Sequence, residues 1–384
     1  MRRNVLIALG AAGILLRLWL WWFTIGTNDA NSFQKFGHSV AVNGVAQAYQ
    51  LDPFMNHPPL VALYLAQAWR WAGDDLLSLA RLVKILGLLG EALSLWALWR
   101  FAGPAVFAAY SLLPAAILVS GFHCNTDCLY AALVLVSALA FDRQHYFLSG
   151  LLLAAGCDVK FLPVVLVPLL VIGAPHRRAT AAVCAGLALG FLPYLPPALS
   201  AGSAMYRNIV TYNSTADHWG VLLLLDRIPR IHGLRALQDS VSRSYHEYGR
   251  YFMLAGIVGL ACLARFRVKL SMAEQFALGG AVFLVLAPGF GVQYVVLIAP
   301  VLCMADPRGG MLWGWTSGVF IAWVYLIFID QWWPAHATFT SWLRFPTWIV
   351  GLAAWGVLVR FLWSRLASGA APGRQRIGIA TYFQ

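Results

Sequence analysis

Apolar runs about as long as a bilayer-spanning helix, roughly 20 residues, recur along this chain from residues 5–25 to the segment ending near Arg360 and Arg365. Lipid offers no water to backbone N–H and C=O groups, so such runs must satisfy them internally, as helices. Only short polar gaps separate most of the runs. The chain is 60% hydrophobic and 11% charged, with 17 Trp, a composition that argues against soluble catalysis and fits a polytopic membrane protein. The formal net charge of +12 does not point to nucleic acid. Many Arg and Lys residues sit in the gaps between apolar runs, where the positive-inside rule places them.

Arg2 and Arg3 precede a long, Trp-rich first run with no small-residue cleavage site after it, which predicts a retained first helix starting in the cytoplasm. Residues 26–71 mix polar and aromatic side chains, with Phe33, Phe36, Val40 and Val42 loosely at helical spacing, and predict short interfacial helices in a first outer loop. Further helices are expected over 76–99, 105–119 and down to Asp142. Two short runs, 147–156 and 161–172, flank Asp158-Val159-Lys160. Each is too short to cross alone, so they predict a hairpin with Asp158 and Lys160 near its outer tip. A helix over 179–199 leads to a long polar outer loop, 200–250, and more helices follow to the C-terminal tail.

The expected fold is a single all-α domain over 1–384, a polytopic transmembrane helix bundle with about twelve crossings and both termini inside. Arg100, Arg143, Arg177, Arg178, Arg265, Arg267, Lys269, Arg308 and Arg365 all fall on the inner side of that topology. Arg207, Arg227, Arg230, Arg235, Arg243 and Arg250 fall outside, in the long loop, which can translocate regardless of charge.

The polar residues of the outer side are the candidates for chemistry. Asp29, just past the first run, is either a reacting carboxylate or the N-cap of the next helix. Asp127, in Asn125-Thr126-Asp127, admits the same two readings, and the two carboxylates can line one outer cavity. His57, before Pro58-Pro59, can donate to an anion or a sugar, while the prolines mark a rigid start to a helix. Lys160 can neutralise a phosphate, pair with Asp158 or snorkel to the interface. Arg207 stands near Tyr212, His218 and Trp219 in the long loop. Arg suits phosphate, and the aromatic residues suit sugar stacking or interface anchoring. Gln293 and Tyr294 lie on the same side, Tyr294 as an interface anchor.

No Walker loop, GxGxxG turn or DxD pattern is present, which fits a donor arriving through the lipid rather than a soluble nucleotide. The six cysteines lack paired zinc spacing. Cys124 and Cys128 lie four apart beside His123, an arrangement open to a metal or a disulfide but best read as unpaired helix-end thiols.

An outer Asp after the first helix, Pro58-Pro59-Leu60, Asn125-Thr126-Asp127, the hairpin Lys160 and Gly289-Phe290-Gly291-Val292-Gln293-Tyr294 together resemble the GT-C class of membrane glycosyltransferases, which use polyprenyl-phosphate sugars. Mannosyl- and glucosyltransferases of lipid-linked glycan assembly look nearest. The resemblance runs from Arg17 to about Tyr294 and implies an inverting hexose transfer on the outer face, with Asp29 at the position of the general base. It implies a polyprenyl-phosphate sugar as donor, a lipid-linked or membrane-associated acceptor, and a protein of the bacterial inner (plasma) membrane. His57, Asp127, Lys160, Arg207, His218, Gln293 and Tyr294 are then candidates for binding substrate. No cofactor is expected. Asp29, His57, His123 and Asp127 offer acceptable metal ligands without a diagnostic spacing, and a monophosphate donor can be neutralised by Lys or Arg, so transfer is expected without metal. The alternative is a lipid or solute transporter, which would show matching broken helices in its two halves. In the sequence, the hairpin near Lys160 has no evident counterpart. A non-catalytic scaffold for glycan assembly is a further alternative.

Overall fold

The computed structural model describes residues 3–212, 219–227, 235–328 and 347–369. Helix is the only regular secondary structure among those residues, with no strand. The first run forms α1 (Arg3–Phe23), and the segment after it folds into α2 (Asp29–Asn43), α3 (Val45–Leu51) and α4 (Pro59–Ala72). Ala30, Phe33, Phe36, Gly37 and Val40 are the buried stripe of α2, which packs on α4. Pro59 opens α4, where its missing N–H costs nothing. The long α5 (Leu76–Phe101) follows, started by Asp75, whose carboxylate accepts from the Leu77 amide.

Next come α6 (Pro104–Ser111), α7 (Pro114–Ile117) running into a π-turn at Leu118–Phe122, and α8 (Asp127–Asp142). Helix α5 meets α8 at Gly90, where a methyl group would lie 2.3 Å from the Cys128 carbonyl oxygen. Small residues allow such close helix approach in a bilayer. The two short runs about Lys160 form α9 (Tyr146–Val159), a 3-10 turn at Leu162–Leu166 carrying Pro163, and α10 (Val167–Gly173), with α9 packed on α8 and α11 and α10 packed on α14. Beyond it lie α11 (Arg177–Gly190), α12 (Leu195–Met205), α13 (Gly220–Arg227), α14 (Arg235–Phe266), α15 (Met272–Leu286), α16 (Ala299–Ala305), α17 (Pro307–Phe328) and α18 (Thr347–Gly369).

Two expectations change. Residues 200–250 are helical almost throughout where described, not a polar loop. The buried positions of α14, among them Gly249, Met253, Ile257, Leu260 and Ala264, keep a helical spacing, and its polar first half simply extends that helix. The count of crossings also differs. Four helical segments among the described residues are long and apolar enough to span a membrane, or five if the pair bent by 60° at residues 112–113 counts as one. That count does not support about twelve. Hydropathy counts apolar residues without asking whether they form one straight rod. Pro114, Pro163 and Pro300 begin new short helices, and the 15 residues of α15 rise only about 22 Å at 1.5 Å each, short of a core about 30 Å thick.

A buried ion pair ties α1 to α5. Arg17 Nη2 lies 3.0 Å from Glu91 Oε2, with both side chains nearly inaccessible. The angle is outside hydrogen-bond geometry, so this contact is chiefly coulombic. Arg17 also donates to the carbonyls of Gly13 and Ser111, and the Tyr110 hydroxyl donates to Glu91 Oε1 at 2.9 Å. Removing one partner strands the other. Glu91→Ala is expected to destabilise the protein by about 3–5 kcal/mol, and the double variant Arg17→Met/Glu91→Leu by clearly less. Thermal unfolding in detergent checks this, and an unchanged transition for Glu91→Ala would refute it.

Candidate functional site

Asp29 is brought to the site by the way α1 ends. Lys84 of α5 is fully buried and has no carboxylate partner among the described residues. Its ammonium donates to the Thr24 carbonyl at 2.5 Å, to Thr24 Oγ1 at 3.1 Å and to the Leu20 carbonyl at 3.4 Å. A cation thus caps the carbonyl end of α1. Gly26 then turns the chain at φ 96°, so close to the π-turn that a methyl group there would sit 2.2 Å from the Phe122 carbonyl oxygen. Only glycine serves both demands. The turn lays Asp29 against the segment that follows Phe122.

There Asp29 Oδ2 accepts from Asn125 Nδ2 at 3.0 Å and lies 3.0 Å from His123 Nε2. Asn125 Oδ1 accepts from the Thr126 amide at 2.7 Å, which fixes the Asn125 side chain with its NH2 toward Asp29. An ionised carboxylate only accepts, so His123 Nε2–H is the donor, and His123 Nδ1 bonds the Tyr325 hydroxyl of α17. Asp29 Oδ1 bonds no described residue. The side chain is 34% exposed, so this oxygen is free to meet a substrate. Burial works against the charge of Asp29. The His123 hydrogen bond, followed by the charges of His123 and Lys160, outweighs it and holds the carboxyl below its usual value. Asp29 is therefore not the cap of α2. Asn28 occupies that position, without a side-chain cap bond.

Asp127 and Lys160 form the second part of the site. Lys160 Nζ donates to Asp127 Oδ1 at 2.8 Å and to Oδ2 at 3.2 Å, and it lies 4.7 Å from the centre of the Tyr294 ring. Asp127 opens α8 but caps nothing. Its side chain is fully buried and given over to Lys160. Asp158, the other partner open to Lys160 in the sequence, does not pair with it, and its Oδ1 is buried without a partner. Tyr294 is buried rather than an interface anchor. Gln293 is half-buried, and its amide bonds no described residue.

His57 is buried beside this group, close enough for its protonation to respond to Lys160 and Asp29. Arg207 does not join it. Its side chain is exposed, with Nε 3.4 Å from Asn208 Oδ1. The buried neighbour Asn208 instead donates to the carbonyls of Tyr49 and Asp52, at 2.9 Å each, tying the turn after α12 to the end of α3. His218 lies outside the described residues. Trp219 is buried, stacks on Phe290 at 4.3 Å and donates to the Leu284 carbonyl, so it packs the fold and is not open to a sugar face.

An open apolar cavity of about 520 Å³ begins at Phe161, the residue after Lys160, and continues along Val164, Phe191, Tyr194, Met205 and Ile209. Neither Asp29 nor Lys160 lines it. Cys124 and Cys128 are free buried thiols. No three His, Cys, Asp or Glu side chains among the described residues come together as a metal site.

Tyr325 and Lys84 are the site residues that sequence reasoning passed over, while His123 entered it only as a metal ligand and Asn125 only as part of Asn125-Thr126-Asp127. Asn125 carried a signal, two positions before Asp127. Tyr325 carried none, since 202 residues separate it from His123. No family model matches the chain, and no curated protein matches it.

Proposed function

We propose that this protein is an inverting hexosyltransferase of GT-C type, moving a sugar from a polyprenyl phosphate to a membrane-associated hydroxyl on the outer face of a bacterial inner membrane. The observation that carries this reading is Asp29, with one oxygen held by His123 and Asn125 and the other open, beside a lysine that can meet phosphate. The acceptor oxygen attacks the anomeric carbon as its proton passes to Asp29 Oδ1. The bond from that carbon to the phosphate oxygen breaks, and its electron pair leaves on the polyprenyl phosphate. A phosphate leaves without protonation, so one carboxylate suffices. An ammonium has three N–H donors, and Lys160 directs two of its contacts at Asp127. The remaining donor meets the charge growing on the phosphate.

His123 and Asn125 are positioning residues, since they hold Asp29 Oδ2 and leave Oδ1 free. The apolar cavity beginning at Phe161 suits the first isoprene units of the donor, which would place the phosphate end toward Lys160. In this reading the broken helices pack between the longer ones, with both termini inside. The test is turnover by the purified protein with mannosyl and glucosyl polyprenyl phosphates, followed by mass spectrometry. Deleting the gene should leave an acceptor one hexose short, and transfer should persist in a chelator. Transfer lost in chelator and restored by magnesium or manganese would make Asp29 and Asp127 candidate ligands.

One observation favours a transporter. The 3-10 turn at Leu162–Leu166 followed by seven-residue α10 has a counterpart in the second half, the 3-10 turn at Val292–Val296 followed by seven-residue α16. Paired broken elements are a transporter device. Movement of labelled lipid or solute into proteoliposomes, without a glycosidic product, would establish that reading instead.

A further inference from the structure

His57 is held on all sides yet makes no use of its ring nitrogens. It is 5% exposed, its ring tilted against Phe33 at 4.9 Å and Phe36 at 6.1 Å. The Tyr49 hydroxyl donates to its carbonyl at 2.5 Å, and Pro58 and Pro59 stiffen the chain just after it. Neither ring nitrogen bonds a described residue. Nδ1 is enclosed without a partner, whereas Nε2 is not enclosed and is the nitrogen a small molecule can reach.

A neutral imidazole carries one N–H. Burying a bare acceptor is less costly than burying an unpaired N–H, so the proton belongs on Nε2, where it is available to a ligand. Burial first, and then the charge of Lys160, hold back a second proton. The opposite pull of Asp29 does not compensate, and the ring titrates down at about 3. A ring that stays neutral brings no charge to a phosphate. Its single N–H suits an uncharged acceptor.

We infer that His57 is a specificity-determining residue whose Nε2–H donates to a ring hydroxyl of the transferred hexose, beside the lysine and the carboxylate that flank the reacting bond. The inference rests on the glycosyl-transfer reading and narrows His57 to the sugar rather than the anion. A site built to bond a hydroxyl discriminates strongly against a ligand lacking it.

Binding separates this inference from turnover. The full chain in nanodiscs is titrated with short-chain polyprenyl phosphate, either bare or carrying mannose or glucose. The wild type is expected to bind one hexosyl form about 10-fold tighter than the bare lipid, as one well-made hydrogen bond allows. His57→Leu, which also removes the unpartnered Nδ1, should fold, keep its affinity for the bare lipid and lose that preference. His57→Gln retains an N–H donor and should recover part of it. An unchanged preference in His57→Leu overturns the inference. So does equal wild-type affinity for all three lipids, or a His57→Leu loss that falls equally on the bare lipid. Failure of the glycosyl-transfer reading shows separately, as absence of glycosidic product in the turnover assay.

Discussion

Asp29→Asn is expected to lower turnover by about 10²- to 10⁴-fold, the range a positioned general base contributes, while leaving the thermal transition close to that of the wild type. The amide matches the carboxylate in shape, and its oxygen can still accept from His123 and Asn125. It cannot take a proton. Steady-state kinetics with melting on the same preparations decide the matter, and near-normal turnover in a folded variant would remove Asp29 as the base. The pH profile carries the same test. A carboxyl held below its usual value stays ionised through neutral and mildly acidic pH. kcat/KM should therefore remain flat there and fall only beneath the ordinary carboxylate range. An acid limb at about pH 6–7, where histidine titrates, would assign the proton to another group.

Lys160→Met is expected to act on fold and activity together. It strands Asp127, whose side chain is fully buried, and loss of one partner of a buried pair costs about 3–5 kcal/mol. It also removes the cation opposite the leaving group, a kind of interaction whose loss lowers kcat by about 10²- to 10³-fold in a desolvated site. The double variant Lys160→Met/Asp127→Asn separates the two effects. It should regain most of the lost stability, because no buried charge is left alone, and should remain as inactive as the single variant. If the double variant regains turnover with its stability, the pair is structural and the phosphate meets some other group. Arg207, exposed and outside the cluster, is the comparison, and Arg207→Ala should leave turnover nearly unchanged.

The helical architecture was legible wherever local sequence carries enough information. α1, α5 and α8 follow the apolar runs within a few residues, because an apolar face and a helical period are properties of one short stretch. The break at Lys160 was legible for a related reason, since Asp158-Val159-Lys160 interrupts two apolar runs that are each too short to cross alone. The number of crossings was not legible in the same way. Whether residues 105–119 make one rod depends on a 60° bend, and although Pro114 marks a break, the sequence does not say how far the two pieces turn. The polar stretch before Arg250 likewise reads as a loop, because its helix continues from the apolar half of α14, whose buried positions begin at Gly249.

The candidate site divides along the same line. Sequence by itself determined which side chains were available: a carboxylate after the first helix, another at the head of α8, a lysine between two short apolar runs, a histidine before two prolines. Charge is costly in an apolar chain, so each stood out where it was. Tertiary structure decided the partners. It joined Lys160 to Asp127 and not to Asp158, gave Asp29 to His123 and Asn125, brought Tyr325 to His123 across 202 residues, and left Arg207 outside. Hydrogen bonds and ion pairs act over a few ångströms, and a linear sequence does not say which distant side chains will be that close.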